Sequence, residues 1–148
     1  MDAPTYPGRM PGQGEPSWRE TTLYSVGGWF STDDGEEVVA YSYGGYFRLD
    51  HETGRIEGEF IDTLGPSKVI GVLLPEGILG FTKKYQPPIL HGASRWPIRF
   101  NLTLVNNNEY RGNFVVDAPG TNKGDVYCRI NVAVENAFGL VIGPPIAF

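Results

Sequence analysis

From Thr21 onward, apolar and polar positions alternate in short runs instead of recurring every three or four residues. In "RIEGEFID" (Arg55–Asp62), Ile56, Gly58 and Phe60 share one side, with Glu57, Glu59 and Ile61 on the other. That period of two belongs to a half-buried strand. "EYRGNFVV" repeats it with Tyr110, Gly112 and Phe114. The same reading places strands near Thr21–Phe30, Val38–Tyr43, Gly45–Asp50, Arg55–Asp62, Ser67–Leu74, Ile78–Tyr85, Ile98–Val105, Glu109–Asp117 and Val126–Glu135. Turn chemistry separates them. "His51-Glu52-Thr53-Gly54" and "Asn106-Asn107-Asn108" offer residues that tolerate positive φ, and "Pro75-Glu76-Gly77" makes a tight connection. No stretch carries a long 3.6-residue apolar period; Val134–Leu140 offers one irregular helical turn at most.

Short strands joined by short loops predict an antiparallel all-β domain. Gly27 and Gly28 directly precede Trp29, and Gly44, Gly45, Gly58, Gly71, Gly80 and Gly112 sit in or between other strands. A strand glycine marks a tight bend or close backbone approach. One such position per strand suits a small closed barrel, which also removes exposed edges. The expected fold is a single eight- or nine-stranded up-and-down β-barrel over residues 21–148, with a two-sheet sandwich as the alternative. Residues 1–20 read as a Pro/Gly-rich arm, with Tyr6 and Trp18 as its candidate anchors.

The residues Gly27-Gly28-Trp29 on the first strand, followed by successive hairpins, resemble the Gly-x-Trp start of lipocalins and the wider calycin group, which includes avidin-like barrels. The resemblance covers residues 21–135. It implies a barrel end closed by Trp29, with Arg129 of the last strand packed over the indole, and an interior that takes a small molecule. A second lipocalin signature, Thr-Asp followed by Tyr, is absent, as is a clear C-terminal helix.

Composition narrows the function. The 148 residues carry a formal charge of −5, which argues against a phosphate-tracking surface and hence against nucleic acid. No apolar run approaches the ~20 residues of a membrane helix. The N-terminus lacks signal-peptide layout, so a cytoplasmic location is expected, with secretion left open. The single cysteine, Cys128, forms no intramolecular disulfide and reads as a small buried hydrophobe. No P-loop, dinucleotide fingerprint or nucleophile elbow is present, so no cofactor is expected.

Candidate chemistry falls in two places. The twelve-residue stretch "QPPILHGASRWP" between Tyr85 and Ile98 is long for a compact domain. It offers His91 for proton transfer, Arg95 for an anion and Trp96 as an apolar wall. Tyr41, Tyr43 and Tyr85 would line a mostly apolar cavity with a few hydrogen-bonding groups. Tyr43, Lys83 and His91 are the candidates for moving protons. Glu57 and Glu59, about 7 Å apart on one face, read as a solvated pair. The acidic turn at Asp33, Asp34, Glu36 and Glu37 lacks the ordered calcium-loop pattern. Asp62 and Asp117 read as strand-end caps. The apolar tail "AFGLVIGPPIAF" suggests packing along the barrel or across a homodimer interface.

Three functions remain open: binding of a small, largely apolar molecule in the barrel, a cofactor-free cyclase, isomerase or lyase using the same cavity, and an interaction module built on the tail.

Overall fold

The computed structural model describes residues 21–33, 38–119 and 122–133. The N-terminal arm, the acidic turn beyond Asp33 and the apolar tail lie outside the described residues. Eight antiparallel strands, each paired with the next and β8 with β1, close a barrel. They are β1 (Thr21–Asp33), β2 (Val38–Asp50), β3 (Arg55–Asp62), β4 (Gly65–Leu74), β5 (Ile78–Tyr85), β6 (Ile98–Asn106), β7 (Glu109–Val116) and β8 (Lys123–Val132). No helix occurs among the described residues.

The ninth expected strand disappears because Gly44 and Gly45 do not interrupt β2. Both stay in register with β1, opposite Gly27 and Val26. The glycines mark close approach between strand backbones. A Cβ on Gly28 would lie 2.0 Å from the Tyr127 carbonyl oxygen of β8, and one on Gly58 would lie 1.9 Å from that of Tyr46 on β2. Gly28, the second of the paired glycines before Trp29, is thus explained by the closing seam between β1 and β8.

Alternation then sorts the walls. Ile56, Phe60, Val69, Leu79, Phe81, Phe100, Leu102 and Phe114 point inward, as the period of two requires. Glu57 and Glu59 lie exposed outside, as expected. An eight-stranded barrel is just wide enough for side chains to fill, and here aromatic rings fill its middle. At one end of the barrel lie the β3–β4 turn and the 86–97 loop; the other holds the β2–β3, β4–β5 and β6–β7 turns.

We expect Gly28→Ala to cost about 2–3 kcal/mol in urea denaturation, because backbone on the facing strand must move. Gly80→Ala, whose added carbon meets nothing nearer than 3.8 Å, should cost less than about 0.5 kcal/mol or stabilise slightly. Equal losses would contradict the close-approach explanation.

Candidate functional site: a caged lysine at one end of the barrel

Parity along two strands builds the site. On β3, Asp62 shares its face with Ile56 and Phe60; on β5, Lys83 and Tyr85 share theirs with Leu79 and Phe81. All three polar groups therefore enter the barrel, at the end covered by the 86–97 loop. Lys83 Nζ lies 3.0 Å from Asp62 Oδ2, with side chains 1% and 0% exposed. The Tyr85 hydroxyl donates to the same oxygen at 2.7 Å. Oδ1 of Asp62 accepts the Leu64 amide at 2.7 Å, so the expected turn cap exists, but the other oxygen serves the interior.

Below the ammonium runs a closed belt of six rings from six strands. Its neighbouring centroids are Phe30–Tyr43 6.1 Å, Tyr43–Phe60 5.4 Å, Phe60–Phe81 5.5 Å, Phe81–Phe100 4.7 Å, Phe100–Phe114 5.5 Å and Phe114–Phe30 5.8 Å. Lys83 Nζ stands 4.5 Å from the Phe30 centroid, 4.6 Å from that of Tyr85 and 5.5 Å from that of Phe100. Ring faces carry negative potential, so they offset part of the cost of burying the cation. The space between Tyr43, Phe60, Phe81, Phe100 and Lys83 admits no water molecule.

Burial lowers the Lys83 pKa, and Asp62 acts against that shift without cancelling it. Burial raises the Tyr85 phenol, helped by its bond to Asp62. Burial also raises Tyr43, whose hydroxyl donates to the Tyr127 carbonyl at 3.1 Å. The Cys128 thiol is pushed up to about 12 by burial, which leaves it protonated and inert as a nucleophile near neutrality. The arrangement therefore presents an amine more readily neutral than usual, beside a phenol, in dry aromatic surroundings. Among the described residues, no three of His, Cys, Asp and Glu come together to hold a metal.

The sequence candidates divide. Tyr43, Lys83 and Tyr85 come together inside, and Tyr41 packs half-buried on Phe30 at 5.1 Å. His91, Arg95 and Trp96 lie exposed on the loop, and the loop's inward contributions are instead Ile89 and Ala93. Trp29 does not plug the barrel end. Its indole lies on the outer wall, because Gly28 and Phe30 take the inward positions, and it stacks on Tyr127 at 5.9 Å. Arg111, not Arg129, stands over that pair, 4.9 Å from the Tyr127 ring and 5.7 Å from that of Trp29. Arg129 instead reaches Glu109 at 2.6 Å. Asp62 was missed as a site residue, although its parity with Phe60 already placed it inside.

Compared with known proteins, the chain matches no family model and no curated sequence. The site must therefore be read from its own chemistry.

Two outcomes are expected. Lys83→Met should cost about 3–5 kcal/mol, because Asp62 is left buried without its cation. Adding Asp62→Asn should recover most of it, since the neutral amide still accepts the Leu64 N–H. Additive losses in the double-mutant cycle would deny the coupling. The second concerns pH. Folded Cys128 keeps a proton that the unfolded thiol releases, so its contribution to stability falls as pH rises from about 9 to 12. Raised Tyr43 and Tyr85 act in the same direction above about pH 10, while lowered Lys83 opposes them below its unfolded value near 10.4. Cys128→Ala should flatten the alkaline loss by up to about 1.4 kcal/mol per pH unit. Parallel stability–pH curves would contradict the assignment.

Proposed function

We propose that the protein binds a small, largely apolar molecule at the barrel end above Lys83, with the 86–97 loop as the cover. The observation that carries this reading is the buried Lys83–Asp62–Tyr85 cluster, set in a mostly apolar interior directly beneath the longest loop. Replacing a buried ion pair with apolar side chains is often neutral or stabilising. Its presence here therefore favours a role beyond stability, and perturbed groups in such places are characteristic of functional sites. The space among the belt rings admits no water molecule, so the ligand would take the layer of half-buried residues at the mouth: Tyr41, Leu64, Ile89, Ala93 and Val116. Entry would exchange Ile89 and Ala93 for the ligand as the loop lifts. The closed eight-stranded architecture agrees with the calycin-like resemblance, which adds to this reading through fold alone.

A second reading is favoured by the lowered Lys83 and its phenolic neighbour. The same site would then act as a cofactor-free enzyme, moving a proton on, or condensing with, a carbonyl compound. Lys83 and Tyr85 would do this work, with Asp62 positioning both.

Access to Lys83 tests both readings. Benzaldehyde should condense with the neutral amine, releasing water, and borohydride should fix the imine as a benzylated secondary amine. Peptide mass mapping should find Lys83 modified at lower aldehyde concentration than exposed Lys68 or Lys123, with protection by small molecules extracted from the purified protein. Modification confined to exposed lysines would overturn the proposed entry.

A further inference from the structure

The outer wall holds a concavity that the barrel end does not use. A groove of about 870 Å³ runs beside the 86–97 loop, over the outer face of β3, β4 and β5. Its floor carries Lys68 and Lys84, which stand directly opposite each other on β4 and β5. Arg95 of the loop completes its wall. Like charges directly opposite on neighbouring strands repel, and this chain is acidic overall. Among the described residues, none of these three cations has a carboxylate within salt-bridge distance.

The carboxylates of the groove do not cancel this charge. Glu57 is engaged by Arg55 at 3.2 Å. Glu59 is opposite Lys68 on β3 but forms no salt bridge with it among the described residues. Three cations against one unpaired carboxylate leave two positive charges. Ile70 on the floor, with Pro87 and Ile89 on the loop side, adds an apolar surface next to them.

We propose that this groove binds a phosphate monoester with an apolar body. A dianion matches the surplus charge. The planar Arg95 guanidinium can grip two phosphate oxygens, while each lysine supplies a point charge. The body of the ligand lies on Ile70, Pro87 and Ile89. Lys83 faces the opposite side of the same wall, and Ile89 of the loop borders both places.

Phenyl phosphate is the probe, titrated into ¹⁵N-labelled full-length protein at low salt and followed by amide shifts. Shifts should cluster at residues 57–59, 68–70, 82–86 and 95. Inorganic phosphate, lacking the ring, and benzoate, lacking the second charge, should both bind more weakly. Lys84→Ala and Arg95→Ala should each weaken phenyl phosphate about tenfold, the loss of one charge-assisted contact. Lys123→Ala, on β8, should leave binding unchanged. Benzoate binding as tightly as phenyl phosphate, shifts spread over every lysine, or indifference to Lys84→Ala and Arg95→Ala would each overturn the proposal.

Discussion

An ammonium group held inside a ring of aromatic side chains is the interaction on which the rest of this structure depends. A lone buried cation would be expelled or neutralised. Lys83 stays because Asp62 supplies one short contact and the faces of Phe30, Tyr85 and Phe100 surround the remainder. The cage resembles the aromatic boxes that recognise cationic ligands, except that the chain's own lysine occupies it. That occupancy fixes the register of β3 against β5 across intervening β4. Asp62 and Lys83 meet only if Ser67 faces both Phe60 and Tyr85, as it does.

The wall makes the cage possible. Six rings fit at one level because six strands each bring one inward residue there, and the strands come close enough because glycines remove side chains from crowded contacts between neighbours. Gly28 and Gly58 thus contribute to the site without touching it. The same closeness leaves no room for water among the belt rings, so the proposed exchange with a ligand falls to the mouth and to the loop over it. The outer wall follows the same alternation with reversed content. Lys84 faces solvent because Lys83 faces in, and one strand of β5 thereby serves a dry ammonium on one side and an exposed cation on the other.

The class of fold was legible because a period of two survives in nearly every strand, and "RIEGEFID" alone states both faces of β3. The strand count was harder to read. Gly44-Gly45 carries the chemistry of a turn, and only pairing with β1 shows that the chain runs straight through. Trp29 misled because a local motif suggested a plug, whereas parity with Phe30 places the indole outside, beneath Arg111. Tyr43, Lys83 and Tyr85 were named as candidates from residue type and alternation. Asp62 was passed over as a cap, a role it does perform with one oxygen. Its second role depends on β5, twenty-one residues away, and pairing across three strands cannot be read from the spacing of one.

The caged ammonium itself is the most direct test. In protein labelled with ¹⁵N at lysine Nζ, one ammonium signal should stand apart, displaced by the surrounding rings and slow to exchange with water. It should titrate below the ordinary lysine range and move in the Asp62→Asn variant. If every lysine signal instead clustered at solvent-exposed values with rapid exchange, Lys83 would not be inside the barrel, and the account built on it would fail.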